Sequence, residues 1–192
     1  VSQENKPIIR FFLYWIGANL LGALGMSPLS AISPIPRLIR GVVFALFLLP
    51  LGLAQWLVLR RRIPISPLWI LTWPAGVLLS PLLMAVIPWA VIGDDESTLV
   101  LTLAYVVIGA AIGLPQWLVL RREVSRAGLW VAGHALAMGL GMVLILVTGL
   151  VNTSDLVSFV ALVLVYAIAT ASLLTWLLFR PDEAYGEQVS VT

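Results

Sequence analysis

Six long stretches of almost unbroken apolar residues run along this chain, separated by short polar joints. They cover about Phe11–Ser30, Gly41–Leu59, Pro67–Ile92, Thr98–Leu120, Gly128–Val151 and Leu156–Phe179. A helix needs about 20 mainly apolar residues to cross a hydrocarbon core of ~30 Å, and each stretch is near that length. None alternates apolar with polar residues as the strands of a membrane barrel do. Backbone groups in lipid must bond within their own segment, which also favours helix. The pattern predicts an all-α integral membrane protein: a six-helix transmembrane bundle in a single domain over residues 1–192, ending in a polar tail, 182–192.

The joints carry turn chemistry. Met26 to Arg40 holds Pro28, Pro34 and Pro36, and Gly93 to Thr98 is acidic. Its last residues suit a cap for the fourth helix, as Asn152 to Asp155 suit one for the sixth. A cleaved signal peptide is the alternative for the first segment, with Ala23 and Gly25 as small residues for a peptidase. It is set aside because that segment belongs to a repeat.

The repeat is the most specific pattern. Gln55-Trp56-Leu57-Val58-Leu59-Arg60-Arg61 recurs, identical, as Gln116-Trp117-Leu118-Val119-Leu120-Arg121-Arg122. A degenerate third copy reads Thr175-Trp176-Leu177-Leu178-Phe179-Arg180. The odd helices echo one another through Trp15, Trp69 and Trp130, each expected near a cytoplasmic end. The repeats run over about 8–62, 63–123 and 124–181. Two helices per repeat preserve orientation, so the repeats are parallel about an axis near the membrane normal. The expected object is a pseudo-threefold bundle of three tandem two-helix repeats.

Charge sets the orientation. With the N-terminus inside, inner segments hold Lys6, Arg10, Arg60, Arg61, Arg62, Arg121, Arg122, Arg126 and Arg180, against Arg37 and Arg40 outside. By the positive-inside rule both termini are cytoplasmic.

The doubled QWLVLRR resembles uncharacterised multi-pass membrane proteins of bacteria, including phototrophic groups, that carry tandem QWLVLR-type repeats. The resemblance implies a bacterial inner (plasma) membrane location and brings no activity and no site residues. The Pro115-Gln116 pair is similar to the PQ-loop transporters. The first copy reads Ala54-Gln55 instead, and those proteins use three-helix repeats, so that family is set aside.

Composition agrees with lipid as the solvent. Hydrophobic residues make up 61% of the chain and charged ones 10%, against about 25% charged in soluble domains. The mean hydropathy is +1.06. Eleven basic residues at helix ends make no patch for nucleic acid. The absence of cysteine removes disulfides and thiolate metal sites. A single histidine excludes a multi-histidine metal site within one chain.

Trp56, Arg60, Arg61, Trp117, Arg121, Arg122, Trp176 and Arg180 read as interfacial anchors, with indoles at headgroup level and arginines snorkelling into the interface. Anchoring does not account for the glutamines, which lie five residues, or ~7.5 Å, deeper than Arg60 and Arg121. His134 should sit level with Gln116, and Trp73 opposite Gln55. Asn19 stands four after Trp15, as His134 stands four after Trp130, and falls near the level of Thr175. Asn19, Gln55, Trp73, Gln116, His134 and Thr175 are therefore expected to form a polar layer in the cytoplasmic third, which Thr72 can join. Such a layer either ties helices together or binds a ligand or pigment. An imidazole such as His134 can ligate haem iron or chlorophyll magnesium, although a hydrogen-bonded packing role is the preferred reading.

Pro67, Pro74, Pro81 and Pro88 recur at seven-residue spacing along one stripe of the third helix. They predict a curved helix with freed carbonyls at Ile70, Val77 and Met84; a water-lined path along them is the alternative. Ala18 with Gly22, Gly109 with Gly113, Ala135 with Gly139 and Ala137 with Gly141 are small-residue pairs for close helix packing.

No Asp, Glu, Lys or Arg falls in the middle of a span, where pumps and ion-coupled transporters usually need one. Ser80 is deep and has no base near it, and phosphate loops and metal-ligand clusters are missing. Asp94, Asp95 and Glu96 read as a solvated loop. The expected function is therefore non-enzymatic, with no catalytic or metal residues. The chain reads as an accessory or scaffold subunit that packs against membrane lipid, pigment or other membrane-protein subunits. The alternative is a small transporter or channel that uses the polar layer.

Overall fold

A computed structural model describes residues 6–26, 37–85, 98–150 and 155–179. Pro28, Pro34, Pro36, Pro88, the acidic joint Asp94 to Glu96, Asn152 to Ser154, Arg180 and the 182–192 tail lie outside the described residues. All regular structure among the described residues is helical. Helix α1 is Lys6–Met26, α2 is Arg37–Phe47 and α3 is Leu49–Leu59. A 3-10 segment, Pro67–Leu71, leads into α4, Thr72–Met84. Helices α5, α6 and α7 follow as Thr98–Leu120, Leu129–Val147 and Asp155–Phe179.

Five helical stretches are long and apolar enough to cross a membrane: Gly41–Leu59, Pro67–Met84, Thr98–Leu120, Leu129–Val147 and Val157–Phe179. None contains a charged residue. Their outer faces are apolar as well. Leu136 and Val147 are 69% and 76% exposed, which suits a helix surface bathed in lipid rather than water. The protein is thus a multi-pass helical membrane protein.

Helix ends depart from the apolar stretches where the backbone has its own reasons. Helices α1 and α2 begin at Lys6 and Arg37, ahead of the apolar runs, because a helix can be polar where it leaves the hydrocarbon. Pro7 falls in the first turn of α1, where a missing N–H is tolerated. The second span is interrupted at Leu48, whose N–H bonds the Ala45 carbonyl at 3.2 Å in a tightened turn. Pro50 enforces this, since it has no N–H to offer Leu46. The third span opens as a 3-10 turn capped by Ser66, whose hydroxyl accepts from the Leu68 N–H at 3.3 Å. The carbonyl that Pro81 frees, at Val77, accepts the Ser80 hydroxyl at 2.8 Å, so it needs no water. Helix α6 stops at Val147 because Gly149 takes a φ of +72° just beyond it.

Sequence neighbours pack as spatial neighbours, and the first and last helices also meet. Helix α1 lies against α3 and α7, α3 against the 3-10 segment, α4 against α5, α5 against α6, and α6 against α7. The described helices therefore form a closed ring. Glycine lets them approach. A Cβ on Gly52 would collide with the Ile70 carbonyl, one on Gly76 with the Ile112 backbone, and one on Gly109 with the His134 carbonyl. Gly22, Gly113, Gly139 and Gly141, from the expected small-residue pairs, likewise face side chains or backbone of a neighbouring helix.

Candidate functional site

Three indoles fill the middle of one end of the ring. Trp15 on α1, Trp69 on the 3-10 segment and Trp130 on α6 are each 0% exposed. Their ring centroids form a nearly equilateral triangle of 6.4, 6.0 and 6.3 Å. These spacings lie in the favourable range for tilted and edge-to-face aromatic pairs. The sequence places these tryptophans towards a helix end; the structure adds that they are core rather than interface residues.

Each indole N–H finds an acceptor on another helix, as a buried donor must. Trp15 Nε1 donates to Thr170 Oγ1 on α7 at 3.1 Å. Trp69 Nε1 donates to Gln55 Oε1 on α3 at 3.3 Å, and Trp73 Nε1 donates to the same oxygen at 2.8 Å. Trp130 Nε1 donates to Gln116 Oε1 on α5 at 2.8 Å. The donations thus join α1 to α7, the 3-10 segment to α3, and α6 to α5.

A second layer lies one helical turn further along. Asn19, Trp73 and His134 each stand four residues after a triangle tryptophan, and all three are buried. Asn19 Nδ2 donates to the Trp15 carbonyl at 2.8 Å, while its Oδ1 accepts from Gln55 Nε2 at 2.9 Å. His134 Nδ1 lies 3.2 Å from the Trp130 carbonyl, and its Nε2 lies 2.6 Å from the Tyr166 hydroxyl. A carbonyl only accepts, so Nδ1 is the donor, and a neutral ring then accepts the Tyr166 proton at Nε2. Both ring nitrogens are thus engaged within the protein, and neither is free for haem iron or chlorophyll magnesium. Among the described residues no group of histidines and carboxylates could hold a metal ion.

The expected layer is assembled with one change of member. Asn19, Gln55, Trp73, Gln116 and His134 come together, and Thr72 joins only through its hydroxyl to the Trp69 carbonyl at 2.7 Å. Thr175 does not take part: its buried hydroxyl oxygen has no hydrogen-bond partner. Thr170 stands in its place. Its hydroxyl accepts from Trp15 and donates to the Tyr166 carbonyl at 2.8 Å. Thr170 and Tyr166 are hidden in the sequence because Trp176 sets the apparent register of the third copy. The overlooked signal is a leucine four residues on. Leu59, Leu120 and Leu174 follow Gln55, Gln116 and Thr170 at that spacing, and all three are fully buried in the tryptophan cluster.

Gln116 keeps one unmet need. Its Nε2 is buried without a partner, a state that costs about 1–3 kcal/mol. The position equivalent to Asn19, which serves Gln55, is here Trp73, and an indole offers no acceptor.

The anchors behave differently from the triangle. Arg60 stacks over Trp56 at 4.5 Å and Arg121 over Trp117 at 5.2 Å, within cation–π range. The Arg61 and Arg122 side chains are exposed. Trp176 is 40% exposed.

Beyond the second layer the ring encloses an apolar cavity of about 130 Å³, with Asn19, Trp73, Val77, Ile112, Met138 and Tyr166 among its walls. Ordinary ligand pockets start near 300 Å³, so this cavity is too small for a pigment macrocycle. No protein-family model, curated protein or solved structure matches this chain.

Proposed function

We propose that this chain is a non-enzymatic accessory or scaffold subunit of a bacterial inner-membrane complex. In this reading it crosses the membrane six times, with α1 as the sixth span and both termini in the cytoplasm. Three tandem two-helix repeats surround a pseudo-threefold axis. The circular pattern of indole donations supports the repeats, since each odd helix serves the even helix of the preceding repeat. The basic residues support the orientation. Arg62 at the end of α3 donates to the Pro7 carbonyl at 3.2 Å and stacks over Phe179 at 5.3 Å. The start of α1 and the ends of α3 and α7 therefore share one arginine-rich end.

The observation that carries the scaffold role is the plugged axis. The intramembrane polar groups bond mostly to one another, and three indoles packed edge to face and at a tilt occupy the centre where a transport path along the axis would run. On α4 the carbonyl that Pro81 frees, Val77, is satisfied by Ser80. This favours a rigid packing unit over the transporter alternative.

The test is purification from the native membrane in mild detergent, followed by solute-flux measurements in liposomes. The expected result is co-elution with a stoichiometric membrane-protein partner and flux no greater than in protein-free liposomes. Flux in the wild type that Gln116→Leu abolishes would overturn the scaffold reading.

A further inference from the structure

The geometry points to a binding site for the phosphate of an anionic phospholipid at the arginine-rich end of the ring. A crevice of about 280 Å³ opens between α1 and the end of α3, lined by Arg10, Phe11, Tyr14, Val58, Arg61 and Arg62. Three guanidiniums thus share one small space with a phenol. None of the three forms an ion pair with a carboxylate among the described residues. Like charges gathered beside a low-dielectric wall repel one another, and an anion between them removes that repulsion. The guanidinium fork matches phosphate oxygens in pairs.

Two of the arginines are held in place. Arg62 is tied to the Pro7 carbonyl at 3.2 Å, and Arg61 lies over the Tyr14 ring at 5.5 Å. The surface leading away from the crevice suits acyl chains. On α3, Leu53 and Leu57 are exposed in line with Arg61; on α1, Leu13 and Leu21 are exposed beside the stripe of Arg10, Tyr14 and Gly17. A Cβ on Gly17 would meet nothing within 4 Å, so that stripe carries an open notch. A headgroup at the arginines thus continues into an apolar surface on the lipid side, which a free phosphate ion would not use.

The second heptapeptide does not rebuild this crevice. Glu123 follows it where Arg62 follows the first, and five residues before Trp69 and Trp130 stand Pro64 and Ser125 instead of Arg10. Tyr14 is matched by Leu68 and Leu129. The arginine pair Arg121 and Arg122 therefore supplies an internal control: it removes the same number of positive charges at a place with no cradle. The inference rests on the membrane-embedded reading and not on the scaffold role, so partner co-elution and flux do not bear on it.

The test is a lipid titration of the full chain in mild detergent, read by native mass spectrometry, with phosphatidylglycerol as probe and phosphatidylcholine as control. One phosphatidylglycerol should bind in preference to phosphatidylcholine. Each arginine near an anionic lipid surface contributes enough that Arg10→Gln with Arg62→Gln should weaken binding by about thirtyfold. Arg121→Gln with Arg122→Gln should change it by less than about threefold, since exposed charges away from the site contribute little. If the double variant fails to fold, Arg10→Gln alone, at an exposed position, should still weaken binding about fivefold. Equal losses in the two arginine pairs, or equal binding of the two lipids, would overturn the site. Displacement of the lipid by millimolar inorganic phosphate would overturn the lipid as its source in favour of a soluble anion.

Discussion

The two copies of QWLVLRR are identical in sequence, yet their glutamines end in different states. Gln55 Oε1 accepts two indole N–H groups and its Nε2 donates to Asn19, so both the oxygen and the nitrogen of the amide are bonded. Gln116 Oε1 accepts one indole, and its Nε2 is left unpaired. The even helices do not cause the difference. The neighbouring side chains do: Asn19 supplies an acceptor to Gln55 and Trp73 a second donor, whereas Gln116 receives only the Trp130 indole. His134, which matches Trp73 by position, turns to Tyr166 instead of Gln116. The repeated segment sets where the amide sits, and unrepeated neighbours decide whether its bonds are met.

The largest effect should come from breaking what the two copies share. Trp69 touches Trp15 and Trp130 and also donates to Gln55. Trp69→Ala should cost about 3–5 kcal/mol, the range for emptying a buried aromatic site. Denaturant unfolding in mild detergent measures it, and a loss below about 1 kcal/mol would mean the triangle contributes little. Gly52 and Gly113, each three residues before its glutamine, extend the comparison. A Cβ at Gly52 runs into the Ile70 carbonyl, whereas one at Gly113 meets Val131 Cα at 3.0 Å and the His134 side chain at 3.1 Å. Gly52→Ala should therefore cost about 3 kcal/mol and Gly113→Ala about 1 kcal/mol, the two ends of the overpacking range. Equal losses would show that the two helix contacts are equally tight.

How much of this could be read in advance follows from the same residues. The helices were legible because lipid demands continuous apolar stretches, and none of the five spans carries a charge. Most of the polar layer was legible because Asn19, Trp73 and His134 keep a one-turn offset from their tryptophans, and the glutamines sit in identical heptapeptides. Thr170 was not, since α7 carries only a degenerate match to the heptapeptide, whose Trp176 sets a register five residues off. The burial of Trp15, Trp69 and Trp130 was not either. An indole near a helix end suits the headgroup region and a packed core equally well, and only the partner of its N–H separates them. In the sequence Pro50 and Pro115 both read as kinks, yet only Pro50 interrupts its span, while Pro115 sits inside an unbroken α5.

Gln55→Leu should come next in size. It strands the Trp69 and Trp73 indoles and the Asn19 oxygen, three bonds in all. Hydrogen bonds between membrane helices average ~0.6 kcal/mol and reach ~1.7, so the loss should be about 2 kcal/mol. The same unfolding experiment reads it, and a variant as stable as the wild type would show that the amide is not needed to hold α3 to its neighbours.

Gln116→Leu should be the smallest change, although it alters the same residue in the same seven-residue context. The substitution takes away the acceptor of the Trp130 indole, which leaves that donor unpaired. It also removes the Nε2 group that is already unpaired. One orphaned donor replaces another, so stability should shift by less than about 1 kcal/mol in either direction. Adding Trp130→Phe removes the second orphan as well. Trp130→Phe also empties part of the buried indole triangle, so the double variant should be less stable than Gln116→Leu alone by about 1 kcal/mol or more. A cost for Gln116→Leu near the 2 kcal/mol expected of Gln55→Leu would mean that Nε2 has a partner after all, such as a buried water. The contrast between the two copies would then disappear.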